Sequence, residues 1–338
     1  MKPAERVTAL LRGEPYDRPP YGLVCCTMGA SLTSTPVEDY YADPALYVRG
    51  QKAVRDLLDP DIVFTPFVFA FEAAAFGAVL APQKDSVPNV RQPPFRAAVD
   101  ALAGRNPKPG SDRYLDYLVG SSKACAEAFG AERIVAAPIV APTDLPALLV
   151  GIEEWIDTLL FRPEEAAGLF SKALDHFRSL SAAYRTAGVS ILVMPMMFAN
   201  PRILDERIIR ESALPVLESA LRDCPLPVIL HHGRTAFAER IGLYTGLPGL
   251  AGFAIGAQDS FSRARELAGP EAVLLGNILG PCFDAYSRDF LSAALRALME
   301  RQKDDRRWIF TNSGAELPAW TPPDRLTLVR DILQGRGA

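Results

Sequence analysis

Residues 163–196, PEEAAGLFSKALDHFRSLSAAYRTAGVSILVMPM, hold the two halves of one structural unit. Through 163–188 apolar residues recur at three- and four-residue spacing, the period of a helix with one buried face. Arg162-Pro163 stands where such a helix would begin. The run then changes character. SILVMPM, 190–196, is short and apolar at nearly every position, as expected of a strand covered on both sides.

The same alternation extends outward in both directions, the pattern of repeated βα units on a parallel sheet. Eight strands are predicted: YGLVCC (21–26), DIVFTPFVF (61–69), RIVAAPIV (133–140), SILVMPM (190–196), PVILH (227–231), LAGFAI (250–255), AVLLGN (272–277) and RWIFTN (307–312). Between them lie amphipathic stretches such as DPALYVRGQKAVRDLL and DRLTLVRDIL, and Asp43-Pro44 and Pro322-Pro323 mark further helix starts. Eight strands with eight crossovers predict a single closed (β/α)8 TIM barrel spanning 1–338. No GxGxxG follows the first strand, which argues against a dinucleotide fold. The irregular stretch at about 82–113 reads as an inserted loop, because barrel units resume on either side.

With 49% hydrophobic and 22% charged residues the chain has ample material for a core. A formal net charge of −4 and the lack of a Lys/Arg run argue against nucleic acid as a partner. MKPAERVTALLRG carries charges where a signal peptide needs an apolar centre. The longest apolar stretch, IVAAPIVAPTDLPALLVG, is broken by prolines and Asp144, so no membrane span is expected. Five scattered cysteines without CxxC spacing suggest neither a disulfide framework nor a zinc finger. A cytoplasmic protein with a small-molecule substrate is the expectation.

In such barrels the chemistry sits where strands end. That rule selects Cys25 and Cys26, Glu72, Asp144, Met196 to Asn200, His231 and His232, Asp259, Asn277, and Ser313 with Glu316. Several of these stretches together resemble the uroporphyrinogen decarboxylase family, which also contains the methylcobamide:coenzyme M methyltransferases. RVTALLRGEPYDRPPYG is similar to the family's first helix and the approach to strand one. FEAAAFGAVL is similar to its EAxxxG stretch, PVILHHGRT to HxCG, AVLLGNILGP to its GN segment, and NSGAELPAWTPPDRL to the closing GCxxPxxTPxENL motif.

The resemblance implies a barrel enzyme, by family analogy a homodimer, that moves a methyl group between a corrinoid and a small acceptor such as a thiol. The corrinoid would be a substrate or be borne by a partner protein. In the methyltransferase branch one zinc ion is implied, held by the His and Cys of HxC and the closing Cys, and it would activate a thiol. This chain departs from that set: HHG lacks the cysteine, and Ala315 stands at the closing position. A rebuilt zinc site would draw on His231, His232, Cys25, Cys26 and Glu316. His231, His232 and Glu72 are the acid/base candidates, with His231 preferred because it continues the register of Ile229. Met196, Asn277 and Asp259 are the candidates to line a cofactor, although the last two read first as residues that hydrogen-bond loops in place. His176, inside a long amphipathic helix, is expected to be structural.

The decarboxylase branch fits less well. Its carboxylate-binding arginines would fall near Cys25 and Gly29, and its central aspartate at Val68. The alternatives are a lyase or decarboxylase acting on a small metabolite, or an inactive tetrapyrrole- or metal-binding protein.

Overall fold

The computed structural model describes residues 1–314 and 316–336. Seven parallel strands form its sheet: β1 (Ile62–Phe64), β2 (Ile134–Pro138), β3 (Ile191–Pro195), β4 (Val228–His231), β5 (Leu250–Ala254), β6 (Leu274–Leu275) and β7 (Trp308–Ile309). Each pairs with its neighbour in sequence order, so every connection is a crossover of the same kind. The helix Pro163–Thr186 shows why these crossovers form. Pro163 takes the first helical position, Glu164 and Glu165 lie at its positive end and Arg185 at its negative end. Leu169, Phe170, Ala173, Phe177, Leu180 and Tyr184 make its buried face. Gly188, at φ +88°, then reverses the chain into β3.

The expected eighth strand is not formed. YGLVCC contributes one parallel bridge, Tyr21 to Phe310, and a helix, Cys26–Leu32, begins inside it. The sheet is therefore a seven-stranded, curled, barrel-like one whose outer strands β1 and β7 do not pair with each other. Residues 20–22 cross the gap. Pro20 O accepts from Phe310 N and Gly22 N donates to Phe310 O, while Tyr21 O accepts from Asp61 N, beside β1. Asp61 anchors this crossing from within. Its fully buried carboxylate takes Tyr21 N at 2.9 Å and Arg18 Nη1 at 2.7 Å, and also pairs with Arg6.

The helix Cys26–Leu32 exists because of a tertiary contact that local pattern does not reveal. It packs on the helix Pro44–Leu58 through Gly29 and Gly50, and a Cβ on Gly29 would come within 2.3 Å of the Tyr40 hydroxyl. The region 82–113 also differs from a structureless insertion. It pairs Asn89–Gln92 with Val79–Ala81 as a hairpin and forms the helix Ala98–Ala103. That helix packs Ala98 and Ala101 into a second cluster with Leu145, Leu149, Trp155 and Leu169.

Candidate active site

The C-terminal ends of the strands enclose a cavity of about 450 Å³. Strand alternation decides which side chains reach it. Val193, Pro195 and Met197 line it along β3 and beyond, and Ile229 and His231 along β4. Met194 and Met196 face the other way, both fully buried, so Met196 does not line the site and Met197 and Phe198 do. Phe64, Phe67, Phe69, Leu148, Val24 and Leu275 extend the apolar wall. The hairpin residues Ser86 to Val90 form one side of it.

Few polar groups interrupt this wall, and His231 is the most precisely held. Gly233 N donates to its Nδ1 at 3.1 Å, so the bare nitrogen is Nδ1 and the neutral ring carries its proton on Nε2. Burial, followed by the neighbouring His232, pushes the pKa of His231 well below its usual value. The ring thus presents a neutral N–H donor, since Nε2 has no protein partner among the described residues. His232 packs against it with ring centroids 4.3 Å apart but uses both nitrogens on backbone. Its Nδ1 meets Thr235 O at 3.2 Å, and its Nε2 accepts from Gly314 N at 3.1 Å.

Glu316 lines the same cavity from the loop after β7. Thr27 N donates to it at 2.9 Å and the Thr27 hydroxyl at 2.5 Å, and Thr27 in turn meets the Tyr41 hydroxyl at 2.8 Å. Burial raises the pKa of Glu316, and the donors from Thr27 and Cys26 oppose the rise without cancelling it. Asn312, whose Oδ1 accepts from Val24 N at 2.7 Å, and Arg234 complete the polar rim. Asp144 shapes the β3 side from behind the wall. Fully buried, it accepts from the backbone of Met197, Phe198 and Ala199, and burial raises its pKa to about 6.

Residues 2–335 match the sequence profile of the family described as uroporphyrinogen decarboxylase (URO-D). The chain belongs to this family. Its fold is shared with a methyltransferase from Methanosarcina mazei at a TM-score of 0.86 and 17% identity, over 99% of each chain. A B12-independent methionine synthase from Shewanella sp. W3-18-1 superposes at 0.58 with 12% identity, over 88% of this chain and 89% of that one. A putative vitamin-B12 independent methionine synthase from Listeria monocytogenes gives 0.56 and 11%, over 96% and 98%. No curated protein sequence matched.

Within this URO-D member the expected zinc donors do not come together. Among the described residues no group of three or more His, Cys, Asp or Glu is placed to hold a metal ion. Cys25 and Cys26 are buried beside strand β1, and the Cys26 thiol donates to Thr65 O at 3.6 Å. Burial raises both thiols, Cys26 to about 12, which disfavours the thiolate a metal needs. His232 has no free nitrogen, and Glu316 is held by Thr27. The donor set does not fit a resident zinc ion. Ala315, at the family's closing cysteine position, lies outside the described residues.

Glu72 also stands apart from the cavity. It is buried between helices, taking Val140 N at 2.8 Å on one oxygen and His176 Nε2 at 3.0 Å on the other. The EAxxxG acid and the helix histidine therefore form one internal pair rather than a group that meets substrate. Asp259 and Asn277 brace loops: the aspartate accepts from Phe237, Ala238 and Gly256 N, and Asn277 Nδ2 donates to Gly256 O at 2.9 Å. Sequence reasoning missed Thr27, Asn312 and Arg234, and within the Met196–Asn200 stretch it chose Met196 as the cofactor-lining residue where Met197 and Phe198 line the cavity. For Met197 the period-two register from Val193 was available; for Thr27 no local signal exists.

Proposed function

We propose that this URO-D family member is a methyltransferase that moves a methyl group from a corrinoid to a small acceptor bound in the cavity, with activation of the acceptor by side chains. The observation that carries this reading is that a neutral His231 N–H and a Glu316 carboxyl of raised proton affinity line one cavity whose wall is mostly apolar. Burial raises the proton affinity of the Glu316 carboxyl, which makes its carboxylate a stronger base than an exposed one.

In this reading the acceptor, a thiol or another X–H group, gives its proton to the Glu316 carboxylate. Thr27 keeps that carboxylate aimed through two hydrogen bonds. His231 Nε2–H hydrogen-bonds the acceptor and fixes its orientation, and the phenylalanine wall excludes water that would blunt the nucleophile. A methylated corrinoid, free or on a carrier protein at the cavity mouth, supplies the electrophilic carbon. The acceptor's lone pair forms the new bond, and the electron pair of the broken bond stays with the donor.

The test is to mix purified protein with methylcobalamin and a panel of thiols and phenols, and to follow the visible spectrum together with product mass. Acceptor-dependent loss of the methyl group is expected, slowed on the order of 100-fold in Glu316→Gln, the usual contribution of a positioned base. Absence of transfer to every acceptor, with folded protein, would sink the reading.

A further inference from the structure

The cavity carries one cation, and nothing in the described protein neutralises it. Arg234 lines the wall, yet among the described residues no carboxylate lies within ion-pairing distance of it. Glu316, the one carboxylate on that wall, is engaged by Thr27 instead. Arg234 is an exposed side chain at the edge of the cavity, but its backbone is fixed. Its backbone sits at φ +72°, the left-handed region that a non-glycine residue rarely occupies. The surrounding turn leaves no choice. Gly233, at φ +59°, passes so close to β3 that a Cβ there would approach Met196 O to 2.0 Å. Thr235 N and Thr235 Oγ1 both donate to His232 O, closing the turn just beyond Arg234. A strained residue is kept where the surroundings over-determine it, and such residues gather at ligand sites.

We infer that Arg234 binds an anionic group of the substrate, and that the substrate is an apolar, ring-bearing carboxylate whose body lies on the phenylalanine wall. The inference rests on the cavity being the substrate site, as the proposed function has it. The dimensions and wall chemistry define the class. About 450 Å³ suits a small ring system, and Phe64, Phe67, Phe69 and Phe198 offer ring faces and edges for it. A planar guanidinium pairs with a carboxylate through two parallel hydrogen bonds, which also fixes the angle at which the ring enters. With the carboxylate at Arg234, the other end of the molecule is directed to the polar groups that remain on the wall, His231 Nε2–H and Glu316. A substrate bearing two anionic groups would set the second against Glu316, so one is the expected number.

The experiment is a binding measurement that needs no turnover. Titration calorimetry of the full chain with 2-naphthoate and with 2-naphthamide compares two ligands of one shape, differing in charge. The parent protein is expected to bind the carboxylate at least about tenfold more tightly. In Arg234→Met that preference should vanish while the amide binds as before, and Arg234→Lys should keep part of it. Unchanged amide binding and an unchanged melting temperature show that the variant is folded. Equal affinity of the parent for both ligands, a preference that survives in Arg234→Met, or failure of both ligands to bind would each overturn the assignment. Loss of methyl transfer from the picture would leave these outcomes readable, because none of them depends on the methyl donor. Conversely, transfer to neutral acceptors only would leave the proposed function standing and remove this substrate class.

Discussion

His231 keeps one nitrogen for the cavity and His232 keeps none, so replacing them should harm the protein in different ways. His232→Ala removes the partner of Gly314 N and Thr235 O, and is expected to lower stability by about 1–3 kcal/mol in a denaturant titration. His231→Phe should leave most of that stability and abolish acceptor-dependent turnover. The same substitution has a pH signature. With a folded pKa depressed below the unfolded 6.5, His231 binds its proton in the unfolded chain first, so stability falls as pH drops below about 6.5. In His231→Phe the acid slope of unfolding free energy should be shallower over that window, and an identical slope would count against the buried neutral ring. Raised carboxyls act in the opposite sense. Asp144, at about 6, contributes stability that is fully present below its unfolded pKa near 3.8 and is lost as pH rises through 6. At this scale the sequence was legible where one rule applied: the alternation from Ile229 put His231 on the cavity side. Met196 was chosen without applying the same alternation from Val193, and Glu72 without knowing that a helix histidine 104 positions away would meet it.

Strands β2 to β5 were legible in the sequence because a strand covered on both faces must be apolar throughout, and RIVAAPIV, SILVMPM, PVILH and LAGFAI are. YGLVCC has the same composition and a different fate. What decides it lies elsewhere in the chain: Asp61 captures Tyr21 N, and the Gly29–Gly50 contact makes room for a helix from Cys26 onward. A pattern rule reads neighbours, and these determinants are tens of residues distant. The Asp61 cluster is correspondingly sensitive. Asp61→Asn would leave Arg6 and Arg18 without their buried counter-charge, and an expected loss of about 3–5 kcal/mol should appear as a large fall in melting temperature. A fall within about 0.5 kcal/mol, the range of ordinary surface changes, would mean that the crossing at 20–22 is held by its backbone alone. Gly233→Ala should also be poorly tolerated, because the added carbon meets Met196 O and displaces the loop that carries Met197 and Phe198.

For the whole molecule, the succession of apolar runs and amphipathic helices gave the α/β barrel-like architecture and, with the family motifs, the end of the sheet where the cavity lies. It did not give the wall itself, since that wall draws side chains from strand ends, the 86–90 hairpin and the loop after β7 at once. The three residues at 20–22 have a consequence for how the chain is made. They need Phe310 on one side and Asp61 on the other, and Tyr21 Oη accepts from Gln334 Nε2 at 3.0 Å, so this segment is completed by residues up to 313 positions later. During synthesis, which runs from the N-terminus, Pro20 O and Gly22 N wait unpaired until Phe310 emerges. A ribosome-bound fragment ending before Trp308 should therefore be sticky and protease-sensitive around residues 20–22, and extension past Gln334 should protect that segment and the one around Phe310 together.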